Sequence, residues 1–275
     1  MTDESIPFRT AIVTGGARGL GRVMALALRR AGYAVTITAS GPSAQLDATV
    51  AESATLPGGD GLLLPLIADV SDPEESTRVV AETVDRFGAL HALINNAGRG
   101  MRVVSETFNT VPVPFWEIAE EKWDQILATN VNGPFYMTKA AMPHFLGQGE
   151  GRIINVSTSA QTMIRTGYAP YGGSKAALEA MTRSWAADLK GSGITANLLL
   201  PGGASDTDLL PASPTKQGAD GNLLDPEIMA APAVWLCSPE SAHINGARII
   251  ARYWDPAARP EDALASASQA HVVGV

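Results

Sequence analysis

The stretch Tyr171-Gly-Gly-Ser-Lys175 sets a phenol and an ammonium at i and i+4, one helical turn apart on one face. That pairing suits a proton-transferring tyrosine. An unperturbed phenol holds its proton to about pH 10, and an adjacent cation favours the phenolate, moving the group toward useful strength near neutrality. A solvated helix surface can carry the same two residues, so the spacing gains meaning only from what else the chain holds. Near the N-terminus, Ala11-Ile-Val13 reads as a short buried strand. It runs into Thr14-Gly-Gly-Ala-Arg-Gly-Leu-Gly21 and then a helical pattern of Val23, Leu26, Ala27 and Arg30 that stops at Gly32. Strand, glycine turn and helix N-terminus together make a phosphate site. Gly15, Gly19 and Gly21 permit the turn, the close approach of backbone to ligand and tight helix packing. A turn that binds nothing looks the same in isolation.

The elements that would position these groups follow in order. Val35-Thr-Ile-Thr38, Gly61 to Asp69, Ala92-Leu-Ile-Asn95, Arg152 to Val156 and Thr195 to Leu200 read as further strands, each ending where a loop begins. Six strands alternating with helical stretches predict one α/β domain over residues 1–275, a Rossmann-type doubly wound parallel β-sheet flanked by helices on both faces. The carboxyl ends of such strands line the ligand crevice, which places Asp69 and the run Asn96, Ala97 and Gly98 to meet a nucleotide.

Composition narrows the classes of partner. A chain of 275 residues with 45% hydrophobic content can bury one sizeable core, and a net charge of -8 argues against a nucleic-acid groove or an anionic membrane surface. Small molecules are the expected partners. Met1-Thr-Asp-Glu-Ser-Ile-Pro7 lacks the basic start and apolar run of a signal peptide, and no stretch reaches the length of a membrane span, so a cytoplasmic location is expected. The single cysteine, Cys237, permits no internal disulfide and sits in an apolar helical stretch where a buried structural thiol is expected. No metal site is expected.

Taken together, the motifs resemble the short-chain dehydrogenases/reductases of the simple single-domain type. The resemblance rests on Thr14 to Gly21, Asp69-Val70, Asn95-Asn-Ala-Gly98, Asn130 in Ala-Thr-Asn-Val-Asn-Gly, the Ile-Asn-Val-Ser-Thr run, Tyr171 to Lys175, and Pro201-Gly202, in the family's order over roughly residues 8 to 250. It implies an NAD(P)-dependent enzyme that moves a hydride between cofactor and an alcohol or carbonyl. Tyr171 would exchange the proton with substrate, Lys175 would hold the nicotinamide ribose and lower the phenol pKa, and Asn130 would hold a water in a proton relay. The family's serine position, counted back from Tyr171, falls on Thr158, whose hydroxyl is retained while its methyl stiffens χ1 and takes up space. Ser157 or Ser159 could serve instead after a local shift; otherwise both read as strand-end or turn residues. Beside Thr14, Gly15, Gly19, Leu20 and Gly21, the resemblance places Asp69 and Val70 at the adenine, Asn96 to Gly98 under its ribose, and Pro201, Gly202 and Thr207 near the nicotinamide or pyrophosphate.

Cofactor choice depends on the end of the second strand, where Thr36-Ile-Thr-Ala-Ser-Gly-Pro42 offers no acid to accept from a ribose 2′-OH. Ser40 could donate to a 2′-phosphate and Arg18 could pair with it, which favours NADP(H) over NAD(H); Arg18 could equally be solvated or pair with a carboxylate. Two loops should shape the substrate pocket, at about 99–118 and 203–225. The first carries Val111-Pro-Val-Pro-Phe-Trp116, which suggests an extended apolar flap; the second carries Asp206, Asp208, Pro211, Pro214 and several glycines, as a lid would. Tyr253 and Trp254 either line the pocket or pack against another subunit. The helices carrying Trp123, Leu127 and Val131, and Ala177, Leu178, Met181, Trp185 and Leu189, either bury these residues in the core or pair between subunits. Relatives imply the latter, giving a homotetramer or homodimer. The opposing reading is a non-catalytic nucleotide-binding scaffold or sensor of the same fold.

Overall fold

A computed structural model describes residues 8–212, 216–217 and 221–271. The N-terminal run Met1 to Pro7 and Pro214 of the second loop lie outside the described residues. Seven strands form one parallel sheet in the order β3-β2-β1-β4-β5-β6-β7. They are β1 (Thr10–Val13), β2 (Ala34–Ala39), β3 (Leu63–Ile67), β4 (Ala92–Asn95), β5 (Gly151–Val156), β6 (Ile194–Leu200) and β7 (Arg248–Ile250). The six expected strands form, and β7 adds an edge. Its three residues pair with Leu198 to Leu200 and are too short to show a period in sequence. The third strand is shorter than expected because Asp60–Leu62 turns as a 3-10 helix first. Pro65 is tolerated in β3 because that strand is the opposite edge of the sheet.

The helices are α1 (Gly19–Arg30), α2 (Ala44–Ala54), α3 (Pro73–Phe87), α4 (Glu120–Leu127), α5 (Gly133–Gln148), α6 (Ala160–Met163), α7 (Ala169–Asp188), α8 (Ala230–Cys237) and α9 (Pro260–Ala267). Strand alternation divides the core between two faces. Ala11 and Val13 join Met24, Leu28, Ala233 and Leu236 of α1 and α8 on one side. Ile12 joins Val79, Val80, Met137, Phe145 and Ala186 of α3, α5 and α7 on the other. Strand order reverses between β1 and β4, so the crevice opens at their carboxyl ends, where the glycine turn and the Asn95 to Gly98 turn both emerge. Cys237 is fully buried and burial pushes its thiol up to about 12, as for a structural residue. Among the described residues, no helix is long and apolar enough to cross a membrane.

Candidate active site

A cleft of about 1270 Å³ runs along this crevice. Its nucleotide half is built from backbone. Gly15 and Gly19 have φ of +64° and +55°, conformations that glycine adopts without the Cβ penalty. A Cβ on Gly21 would lie 2.2 Å from the Gly15 carbonyl oxygen, so only glycine lets α1 start this close to the turn. The turn is locked to β4 from two directions. Thr14 Oγ1 accepts from the amides of Asn96 and Ala97 at 3.0 Å each, and Asn96 Nδ2 donates to the Thr14 and Gly15 carbonyls at 2.9 and 3.2 Å.

These contacts reassign part of the expected cofactor set. Gly15, Arg18, Gly19, Leu20, Ser40, Asp69, Val70, Asn96, Ala97, Gly98, Pro201, Gly202 and Thr207 line the cleft. Thr14, Gly21 and Asn130 do not. Thr14 is buried with its hydroxyl spent on the β4 turn, and Gly21 faces Gly15, so both shape the turn from behind rather than face a ligand. Asn130 lies fully buried in a π-helical turn, Ala128–Asn132, that joins α4 to α5. Its Nδ2 donates to Arg99 O and Ser174 Oγ, both at 3.0 Å, while Oδ1 accepts from Arg99 N at 2.8 Å. Its side chain therefore holds the Arg99 backbone to α7, with both Nδ2 hydrogens engaged.

Asp69 and Arg18 are both engaged. Partial burial opposes ionisation of Asp69, but two Ser71 donors at 2.7 and 3.0 Å, with Arg99 at 3.7 Å, outweigh it and lower the carboxyl pKa. Arg18 reaches across the cleft to Asp208 at 3.1 Å, the carboxylate option left open by the sequence. Thr207 sits against the glycine turn, 3.2 Å from where a Gly19 Cβ would be. The two loops meet here, as Arg102 Nη1 donates to Asp208 O at 2.7 Å.

At the far end of the cleft, three segments converge on Tyr171. Thr158 and Tyr171 both line this end, and the Thr158 hydroxyl favours the Tyr171 phenolate, whereas the two neighbouring serines are taken. Ser157 Oγ donates to Glu179 at 3.1 Å, and Ser159 caps α6 by accepting from Thr162 N at 3.2 Å. Beneath Thr158, Arg248 on β7 bonds Glu179 on α7 at 2.9 Å and the Thr158 carbonyl at 3.2 Å. Both ions are almost wholly buried, at 5% and 0% side-chain exposure. Sequence reading missed this support. Glu179 lies one turn beyond Lys175 on α7 and could have been suspected, but Arg248 sits in an apolar run with no local signal.

Proton affinities depart from the expected direction. Lys175 Nζ donates to Val156 O at 2.8 Å, and burial lowers its pKa to about 8. Tyr171 is pushed up to about 12, chiefly by burial; the Thr158 hydroxyl acts the other way and Tyr168 adds to the rise. Without a ligand the lysine thus does not bring the phenol toward neutrality. Burial dominates the proton affinity of both groups.

The loops also differ from expectation. Arg99, Met101, Arg102, Val103, Glu106, Phe108 and Asn109 face the cleft, but Pro114, Phe115 and Trp116 line a separate shallow groove beside Met163 to Gly167. The apolar run is therefore no flap over Tyr171. Tyr253 lines the cleft, while Trp254 is buried against Trp235 with ring centroids 5.3 Å apart.

The short chain dehydrogenase family model matches residues 9–218. The chain belongs to that family. A short-chain type dehydrogenase/reductase of Picea abies is 36% identical over 197 residues, covering 70% of each chain. The 3-oxoacyl-(acyl-carrier-protein) reductase FabG of Vibrio cholerae is 31% identical over 245 residues, covering 86% of this chain and 93% of its own. The crystal structure of a dehydrogenase/reductase from Sinorhizobium meliloti 1021 superposes with a TM-score of 0.74 at 32% identity, covering 88% of this chain and 92% of that one. Short-chain dehydrogenases are oxidoreductases, and membership makes nicotinamide-dependent oxidoreduction the general chemistry of this chain.

Proposed function

We propose that the protein interconverts an alcohol and a carbonyl, with Tyr171 as the acid–base group. The observation that carries this reading is the convergence of Tyr171, Thr158 and Lys175 on one cleft whose other half is the glycine turn at the α1 N-terminus. The residues fit a dinucleotide: the turn leaves room for a pyrophosphate, no acid stands in the first turn of α1, and Asp69, Val70 and the Asn96 to Gly98 backbone offer an adenosine site. When bound there, the nicotinamide would supply or accept the hydride and, when oxidised, add a positive charge.

Tyr171 then handles the proton. Burial keeps its phenol protonated, which suits donation to a carbonyl oxygen in the reductive direction. Thr158 orients that oxygen, its main chain held through the carbonyl that Arg248 binds. Lys175 would bind the ribose hydroxyls, and its ammonium favours the phenolate needed for oxidation. Asn130 serves as a positioning residue for the backbone beside Lys175, since a Cβ on Gly98 would lie 3.4 Å from Asn130 Oδ1 and 3.7 Å from Lys175 Nζ.

NADP(H) is the proposed cofactor. Ser40, just past β2, and Arg18, in the glycine turn, both line the cleft, the end of β2 carries no acid, and a phosphate dianion would outcompete the exposed Asp208 for Arg18. A homotetramer or homodimer is proposed from Trp123, Leu127, Met181 and Trp185, which stay partly exposed on α4 and α7 of the single chain; light scattering checks it. Fluorescence titration with NADPH and NADH, followed by a carbonyl panel, tests the reading. Tyr171→Phe should cut turnover about 10²–10⁴-fold while cofactor binding stays intact. Undiminished turnover in that variant, or no binding of either cofactor, would overturn it.

A further inference from the structure

The charges along the cleft do not all cancel. Arg18 is paired with Asp208, Arg99 with Asp69 and Arg102 with Glu106. Arg165, on the ridge between α6 and α7, lines both this cleft and the shallow groove beyond it and has no carboxylate partner among the described residues. Its guanidinium is nevertheless held in place. It lies 4.8 Å from the Tyr168 ring centroid, and Nη1 donates to the Tyr168 hydroxyl at 3.1 Å. That hydroxyl in turn donates to Asn109 Oδ1 at 2.9 Å, so the first loop braces the arrangement. Tyr168 is buried, packed edge-on between Phe108 at 5.5 Å and Tyr171 at 6.4 Å. One edge of the guanidinium is thus fixed on a rigid wall, while Nε and Nη2 have no protein partner among the described residues.

We propose that Arg165 is a substrate anchor, and that the substrate is a small carbonyl or alcohol bearing a carboxylate or phosphate a few bonds from its reacting carbon. This rests on the oxidoreductase reading of the same cleft. The wall bounds the separation: the guanidinium lies 4.8 Å from the centre of the Tyr168 ring, whose centre lies 6.4 Å from that of Tyr171. An oxyanion is the ligand that a planar fork of unpaired donors recognises, and a fork already stacked on an aromatic ring loses little freedom on binding it. Gln161 and Thr162 line the cleft beside it and give the site polar surroundings.

The test uses matched probes: 3-oxobutanoate with its methyl ester, and dihydroxyacetone phosphate with dihydroxyacetone. The intact protein should prefer the anionic member of at least one pair about tenfold or more in kcat/KM, and which pair shows it distinguishes carboxylate from phosphate. Arg165→Met should collapse that ratio toward one through the KM of the anionic probe, and Arg165→Lys should restore part of it. A ratio near one in the unaltered protein, or an undiminished ratio in Arg165→Met, overturns the proposal. Calorimetric titration with each probe, with and without NADPH, separates the two readings. Arg165-dependent anion binding without turnover would fail the oxidoreductase reading alone, and turnover without any anion preference would fail the anchor alone.

Discussion

The nucleotide half of the cleft is held by backbone groups from two adjacent turns, whereas the substrate half is held by side chains from segments far apart in the chain. In the first, the Gly15 and Gly21 backbones touch and Thr14 and Asn96 bond main-chain groups. In the second, Thr158 depends on Glu179 and Arg248, and Tyr171 stands against Tyr168 and Phe108. A backbone-built site tolerates no added atom but is indifferent to most side chains. A side-chain-built site can be retuned one residue at a time, at the cost of buried charges that need their partners.

Substitutions can break or sharpen this contrast. Arg248→Met strikes the substrate half hardest: removing one member of a buried pair costs about 3–5 kcal/mol, and freeing the Thr158 carbonyl should lower kcat more than it weakens cofactor binding. Urea unfolding with parallel kinetics checks both. Gly21→Ala strikes the other half. Overpacking costs about 1–3 kcal/mol, and the turn must open, so cofactor titration should show weaker binding while Thr158 keeps its place.

Lys175→Met should stabilise the ligand-free protein by about 2 kcal/mol below pH 8 while removing activity. The folded state must hold a buried ammonium below its lowered pKa of about 8, whereas the unfolded lysine stays protonated to its ordinary value. Between those values the unfolded chain binds more protons, so stability of the unaltered protein rises with pH there, and the variant's advantage fades across the same window. Thermal midpoints from pH 7 to 10 test the slope. The smallest effect belongs to Asp208→Asn. Loss of an exposed pair should change stability by less than about 1 kcal/mol, yet free Arg18 and raise NADPH affinity relative to NADH.

Much of the nucleotide half was legible in sequence because its signals are local. Glycines at fixed offsets after a buried strand encode the turn without reference to anything distant. Legibility faded where a residue's orientation was decided by packing. Thr14, Gly21 and Asn130 stand at motif positions yet face away from the cleft, and the Val111 to Trp116 run lies beyond the ridge of Met163 to Gly167 instead of over Tyr171. Among three consecutive hydroxyls, the partners of Ser157 and Ser159 leave Thr158 for Tyr171.

The sequence by itself determined the succession of the first six strands along the chain, the glycine turn and the presence of Tyr171 and Lys175 on one helical face, since each follows from local conformational preference and short-range periodicity. Only the tertiary structure decided how strongly those two groups hold their protons, what fixes Thr158, and that Arg165 keeps donors on the cleft wall with no partner among the described residues. Proton affinity and charge balance depend on how much water is excluded and on which distant partners arrive, and both are set when the segments pack together.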